Sequence, residues 1–327
     1  MPKLVTIYGG SGFVGRYIAR RMAKDGWRVR VAVRRPNEAG FVRTYGSVGQ
    51  VEPILCNIRD DASVAAAMQG ADAVINCVGV LNEVGKNKFD AVQHEGAERI
   101  ARLASAAGIA RLVHFSAIGA DTESDSKYAW SKGLGEAGVT EHFADAIILR
   151  PSVIFGPEDD FFNRFASLSR FGPVLNIAGG DTLFQPIYVD DVAKAAVAAA
   201  KGEVDAGTYE LGGPEVASLR DLVAKMLKVI NRRRLIVNLP FGAARIVAFG
   251  FDMMQTCTGG LATNTILTRD QVKNLRNDNV VGEGVPGIEA FGVTPTAMEA
   301  ILPSYLYRFR PAGQYDDIKD SAKNLKA

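Results

Sequence analysis

The sequence predicts a doubly wound α/β fold, a parallel sheet with helices on both faces, joined to a smaller C-terminal α/β lobe. Three observations carry this. A β-type run at the N-terminus breaks into glycines and then into a helical pattern. Strand and helix signals alternate from there to about residue 150, as repeated βα units require. Beyond Pro151 the pattern loosens, and Gly156-Pro157, Gly172-Pro173 and Gly212-Gly213-Pro214 punctuate it. The expected division is 1–150 and 151–327, with later segments returning to the first unit.

The elements follow in order. Val5-Thr6-Ile7-Tyr8 is the first strand, and a helix follows in which Val14, Ile18 and Met22 share one face. Residues 28–33 and 51–56 are the second and third strands, and 61–68 form a short helix opening on acids. Residues 73–77 are the fourth strand, and 91–107 a long helix stopped at Gly108. Residues 112–116 and 146–149 are further strands. The second lobe holds helices over 192–200 and 219–230, the latter framed by Ser218 and Asp221. Thr268 with Gln271, and Thr296 with Glu299, have capping-box spacing and predict helices over 269–276 and 297–301. Residues 282–287 read as a loop, and the chain from Arg308 onward as a polar tail that crosses a neighbour or stays mobile.

The glycine turn carries the first chemical signal. Gly9, Gly12 and Gly15 lie between the first strand and the first helix, together with Ser11, Phe13 and Val14. Glycine tolerates positive φ and lets a phosphate reach the backbone. The helix then presents unpaired N–H groups and its positive end to the anion. This is the dinucleotide-binding, Rossmann-type arrangement; the bland alternative is a glycine-rich surface turn. The second strand ends at Val33, followed by Arg34 and Arg35. An acid there would bind a free ribose diol, whereas a guanidinium pairs with a 2′-phosphate. The pair therefore points to NADPH, against the alternative of two solvated surface arginines.

Composition narrows the class. The 327 residues are 47% hydrophobic and 23% charged, enough for a large core. A net charge of +2 gives no footprint for nucleic acid. Cys56, Cys77 and Cys257 form no C-x-x-C and suit a reducing compartment. His94, His114 and His142 have no ligand spacing, so no metal site is expected. The first strand starts directly after Lys3, which predicts no signal or transit peptide, and no apolar run is long enough to span a bilayer.

Further motifs resemble the extended and atypical short-chain dehydrogenase/reductase superfamily over roughly the first 230 residues. They are the glycine turn, Asn57-Ile58, Asn76-Cys77-Val78-Gly79, Tyr128-Ala129-Trp130-Ser131-Lys132, the run from Leu149 to Pro157, and Ile187-Tyr188-Val189-Asp190-Asp191-Val192. The resemblance implies cofactor contacts from Asn57 and Ile58 at adenine, and from Cys77, Val78, Gly79, Ser116, Tyr128, Lys132, Pro151 and Val153. Asn57 departs from the usual aspartate but keeps an acceptor. Tyr128 and Lys132 lie one helical turn apart. In the superfamily such a lysine holds the ribose and lowers the tyrosine pKa for acid/base chemistry. That chemistry needs a further hydroxyl two residues beyond Ser116, where this chain has Ile118. Tyr128 and Lys132 thus admit two roles, ribose binding without turnover or catalysis, and Ile118 favours the first.

A closer resemblance runs essentially end to end. Arg150 to Phe165, Phe184-Gln185-Pro186-Ile187-Tyr188-Val189, Leu267-Thr268-Arg269-Asp270-Gln271-Val272 and Pro295 to Leu306 are similar to the short-chain-dehydrogenase-like accessory subunits of respiratory complex I (NADH:ubiquinone oxidoreductase), in a bacterial form. It implies a non-catalytic peripheral subunit that keeps NADPH tightly bound. Such a subunit sits on the cytoplasmic face of the bacterial inner membrane, among other subunits near the junction of the hydrophilic and membrane arms. The rivals are an NADP-dependent reductase or sugar-nucleotide epimerase, and an NADPH-sensing regulator.

The stretch from Pro240 to Thr256 bears on partners. It is strongly apolar, with Arg245 and Asp252 as its charges. At a membrane interface or on a partner its Phe and Met side chains have a surface to bury. The other reading is a core helix of the second lobe. Upstream, Arg232-Arg233-Arg234 suits anionic lipid or an acidic partner, or is a solvated turn.

Overall fold

A computed structural model describes residues 2–257, 264 and 267–315, without the side chains of 254–257 and 314. The first half runs β1 (Leu4–Tyr8), α1 (Phe13–Lys24), β2 (Arg28–Val33), β3 (Val51–Leu55), α2 (Asp61–Met68), β4 (Ala73–Asn76), α3 (Glu95–Ala106), β5 (Arg111–Phe115), α4 (Lys127–His142) and β6 (Ile147–Pro151). The second runs β7 (Ile154–Phe155), α5 (Phe162–Leu168), β8 (Val174–Ala178), β9 (Leu183–Phe184), β10 (Ile187–Tyr188), α6 (Val189–Lys201), β11 (Gly207–Leu211), β12 (Ala217–Ser218), α7 (Leu219–Val229), β13 (Leu235–Leu239), α8 (Phe241–Cys257), α9 (Arg269–Asn274) and α10 (Met298–Leu306).

The main sheet is seven-stranded and parallel, in the order β11-β6-β5-β4-β1-β2-β3. Every residue of β1 is buried, because a parallel strand is covered on both faces. On one face Ile18, Ala19 and Met22 of α1 meet Val192, Ala193 and Ala196 of α6 over Val5 and Ile7. On the other, Val64 of α2, Ile100 of α3 and Val139 of α4 pack over Leu4, Tyr8 and Val74. Two late segments thus complete the early sheet: α6 covers it, and β11 pairs with β6, Tyr209 opposite Leu149. Arg21 of α1 grips Asp190 of α6 through two hydrogen bonds of 2.7 and 2.5 Å.

The second lobe has its own core, built on Phe155, Phe162, Leu222, Met226 and Leu302. Three two-stranded pairs, β10 with β7, β12 with β9 and β13 with β8, frame it.

The structure corrects two sequence expectations and separates two readings that the sequence left open. The helix expected over 91–107 starts with a π-type turn, Asp90–His94, before α3. The Thr296–Glu299 capping box does not form: α10 begins at Met298 with Ala297 as its cap. The Thr296 N–H instead donates to the buried Asp191 carboxylate at 2.7 Å. The Thr268–Gln271 box does form, with both reciprocal bonds. Segment 240–256 becomes α8, and it is not a core helix. Ala244 and Ala248 are its buried contacts, whereas Ile246, Val247, Phe249 and Met253 are exposed. No helix among the described residues is long and apolar enough to cross a membrane. The chain beyond Tyr315 and the Cys257 side chain lie outside the described residues.

Candidate functional site

The glycine turn joins β1 to α1. Gly9 has φ +74°, and its N–H donates to the Ala32 carbonyl of β2 at 2.9 Å. A Cβ on Gly15 would lie 2.5 Å from the Gly9 carbonyl oxygen and 2.6 Å from the Gly10 Cα. A Cβ on Gly12 would lie 3.1 Å from that same oxygen. On Gly9 it would meet the Cys77 backbone at 3.2 Å and Val78 Cγ2 at 3.3 Å. These glycines therefore let the turn fold against both β4 and the start of α1. Gly12 caps α1 without a side chain, and the first turn carries no acid. The N–H groups there stay available to an external anion. Arg16 fastens the turn by donating to the Ser11 and Gly12 carbonyls, each at 3.2 Å. Phe13 borders Gly156, whose added Cβ would stand 3.3 Å from the ring, and Val14 packs on the sheet core.

The residues that follow β2 divide by partner. Arg34 is exposed and makes no hydrogen bond or ion pair among the described residues. Arg35 is engaged with Glu38 at 3.1 Å. Past β3, Asn57 turns its side-chain oxygen to the Arg59 N–H at 3.2 Å. Ile58 is buried in the core beneath α3, against Gly96.

A second group gathers where β4 and β5 end. Lys132 is buried, and its Nζ donates to the Phe115 carbonyl at 2.9 Å. Loss of hydration lowers its pKa to about 8, partly offset by Glu136 and Cys77. Tyr128, one turn earlier, packs edge-on against Phe89 with ring centroids 5.9 Å apart. Burial pushes its phenol up to about 12, so the lysine does not draw it toward neutrality in this geometry. Its hydroxyl makes no hydrogen bond among the described residues. Ser116, next to Phe115, has a buried Oγ with no partner. Gln93, from the π-type turn, donates to Ser131 Oγ at 3.0 Å while its buried Oε1 stays unpaired. A Cβ on Gly79 would stand 3.5 Å from both Gln93 Oε1 and Lys132 Nζ. His114 pairs with Asn76 at 3.1 Å, and burial lowers its pKa to about 3, so it is neutral. Burial likewise raises the Cys77 thiol pKa, against the pull of Lys132.

Ile118 follows two residues after Ser116, its N–H donating to the Pro151 carbonyl at 3.2 Å. Val153 accepts from the Ile187 N–H at 3.0 Å and packs in the second lobe. A cleft of about 1200 Å³ opens between Phe89 and Ser126 on one side and Arg245, Val272 and Arg276 on the other.

The structure thus brings Gly9, Gly12, Gly15, Arg34, Cys77, Val78, Gly79, Ser116, Tyr128 and Lys132 to the carboxyl ends of adjacent parallel strands. This is where open α/β sheets take ligands. Ile58 lies in the core, and Arg35 is held by Glu38. Sequence reading missed Gln93, whose one visible signal is an amide within an otherwise apolar helical stripe. The residues fit a dinucleotide: a turn that side chains would fill, an uncapped helix end, and unpaired buried Ser116 Oγ and Gln93 Oε1 beside Lys132. Among the described residues no group of His, Cys, Asp and Glu is placed to hold a metal ion.

Fold and site define a Rossmann-type NAD(P)-binding protein. The profile of the NAD dependent epimerase/dehydratase family matches residues 5–212. The chain is 33% identical over 316 residues to the mitochondrial NADH dehydrogenase [ubiquinone] 1 alpha subcomplex subunit 9 of Arabidopsis thaliana, covering 95% of this chain and 79% of that one. It is 34% identical over 195 residues, 60% of each chain, to the ceramide reductase of Caulobacter vibrioides. Among solved structures, the Bordetella bronchiseptica enzyme WbmH in complex with NAD+ superposes with a TM-score of 0.67 at 16% identity, over 96% of this chain and 100% of that one. The chain belongs to the NAD dependent epimerase/dehydratase family and, within it, to the branch of the alpha subcomplex subunit 9 proteins.

Proposed function

We propose that the chain is a non-catalytic accessory subunit of respiratory complex I that keeps NADPH as a structural cofactor. The observation that carries this is the half-complete site. The residues expected to bind the cofactor, from the glycine turn to Lys132, gather at one strand edge, while Ile118 follows Ser116 at the position where the superfamily's acid/base chemistry uses a hydroxyl. Near end-to-end similarity to the subunit 9 proteins supports membership of the complex. Arg34 is the residue for the 2′-phosphate, and the α1 N-terminus for the pyrophosphate. Lys132, with Ser116 and Gln93, faces the nicotinamide ribose. When bound, NADPH supplies binding energy: a ligand of the native state alone, at 100 times its Kd, adds about 2.7 kcal/mol of stability.

Residues 1–150, with α6 and β11, form the NADP-binding unit, and the rest of 151–327 the docking lobe. The exposed apolar residues of α8 supply a surface for other subunits or for lipid near the membrane-arm junction, on the cytoplasmic face of a bacterial inner membrane.

The test is to solubilise source membranes in mild detergent and follow the chain beside NADH:quinone reductase activity. Co-migration is the expected outcome; a chain found wholly as a free protein sinks the reading. A second reading, an NADP-dependent reductase, draws on the identity to the ceramide reductase. Substrate-dependent NADPH oxidation by the purified chain, lost in Tyr128→Phe, would favour it.

A further inference from the structure

The first turn of α4 is pinned by a carboxylate from a distant part of the chain. Asp270, in α9, accepts from the Lys127 N–H at 2.8 Å, the Tyr128 N–H at 3.0 Å and Ser126 Oγ at 3.0 Å. A helix leaves its first N–H groups without internal partners. Here α4's own cap, Ser126, takes the Ala129 N–H at 3.4 Å, and Asp270 takes the two before it. An anion at this position also meets the positive end of the helix dipole, and hydrogen bonds to an ionised acceptor are among the stronger ones. Lys273, one turn further along α9, closes the contact by donating to the Asp125 carbonyl at 2.8 Å.

The same helix holds α8. Val272 packs with Ala244 and Ala248, the buried residues of α8, and Arg269 pairs with Asp252 of α8 at 3.0 Å. On its other side, α4 carries Tyr128 and Lys132 into the candidate cofactor site. A continuous set of contacts therefore runs from Lys132, along the first turn of α4, through Asp270 and α9, to the exposed apolar face of α8.

We propose that Asp270 is a positioning residue that couples NADPH binding to the placement of α8, so that the cofactor sets the docking surface. This rests on the proposed cofactor reading and adds its regulation. By linkage, whatever NADPH does to the order of α8, a partner seated on α8 does to NADPH affinity. The balance is purely conformational; no bond is made or broken.

The test measures two quantities on the full chain: NADPH affinity by fluorescence, and amide hydrogen exchange with and without NADPH. In the wild-type chain, NADPH slows exchange over residues 127–133 and also over 241–253 and 269–274. In Asp270→Ala the slowing over 241–253 disappears and NADPH binds about tenfold more weakly, within the usual range of couplings. Asp270→Asn, which keeps an acceptor, recovers part of both effects. If Asp270→Ala does not fold, Lys273→Ala, which removes the bond to Asp125, gives the same loss in smaller measure. NADPH bound at wild-type affinity in these variants, with α8 still protected, overturns the coupling and leaves the cofactor reading intact. NADPH failing to bind the wild-type chain overturns both.

Discussion

Lys132 Nζ donates to the Phe115 carbonyl oxygen at 2.9 Å, in surroundings that leave the lysine 5% exposed. One carbonyl partner does not replace the water an ammonium loses on burial. The cost appears as a lowered pKa, about 8 in the folded chain against an ordinary 10.5. Between those values the unfolded chain binds more protons, so stability rises with pH. The penalty is present in full below about pH 8 and is relieved as the pH climbs towards 10.5. Urea unfolding of the cofactor-free chain from pH 7 to 10 should show this rise, on the order of 2–3 kcal/mol, and Lys132→Met should remove it. Parallel profiles for the two proteins would count against the buried charge.

Arg34 and Arg35 are neighbours with different employment. Arg34 is unpaired among the described residues, while Arg35 holds Glu38. Arg34→Ala is expected to weaken NADPH by about 10- to 100-fold, the loss of a charge-assisted contact, and to change NADH little. Arg35→Ala should do much less to either. Titration of both nucleotides against the three proteins decides it; equal losses for NADPH and NADH would refute the 2′-phosphate assignment.

Gly15 admits no side chain without movement, since its Cβ would stand 2.5 Å from the Gly9 carbonyl oxygen. Gly15→Ala should lower stability by about 1–3 kcal/mol, the usual cost of overpacking. It should also abolish tight dinucleotide binding, because the turn and the start of α1 are forced apart. Gly26→Ala is a contrasting control: a Cβ there meets nothing within 4 Å, so its cost is the φ of +82° alone.

The Tyr128 hydroxyl has no hydrogen bond among the described residues, and burial pushes its pKa up to about 12. Tyr128→Phe should therefore leave NADPH retention and the respiratory activity of the assembled complex close to wild type. Native gels and NADH:quinone reductase assays on membranes from the variant strain provide the readout.

On α8, Ile246 is 74% exposed and Met253 51%. Ile246→Glu with Met253→Glu should change the melting temperature little, since surface substitutions typically stay within about 0.5 kcal/mol. The same pair should release the chain from detergent-solubilised membranes. Retention on the membrane despite both charges would place the docking surface elsewhere.

The sheet was legible because parallel strands buried on both faces read as apolar runs. L-V-T-I-Y is such a run, and its two hydroxyls are satisfied in the core, Thr6 donating to the Ala67 carbonyl at 2.9 Å and Tyr8 to the Val64 carbonyl at 2.7 Å. The glycine turn and the Tyr128–Lys132 pair were legible because their geometry is local, within a turn or one helical repeat. What escaped is non-local. The 144-residue separation between Ser126 and Asp270 leaves no mark in either segment's pattern. Thr296 and Glu299 had the spacing of a cap, but the fully buried Asp191 needs donors and captures the Thr296 N–H. Helix α8 is apolar on nearly every side, so periodicity could not separate a buried helix from an exposed one.

The return of α6 and β11 to the first sheet also fixes when this protein can begin to fold. A nascent chain ending at residue 150 has β1 to β5 and most of β6 in order, but it lacks α6, which shares with α1 the cover of the face carrying Val5, Ile7 and Val113. Its edge strand β6 also lacks the partner that Tyr209 and Leu211 supply. Such an intermediate shows both an incompletely covered apolar face and an open strand edge, the features that lead to aggregation. The nucleotide-binding half is therefore incomplete on the ribosome until residue 211 has cleared the exit tunnel. A truncation at 150 should collect in inclusion bodies, whereas one that retains both late segments has the means to close.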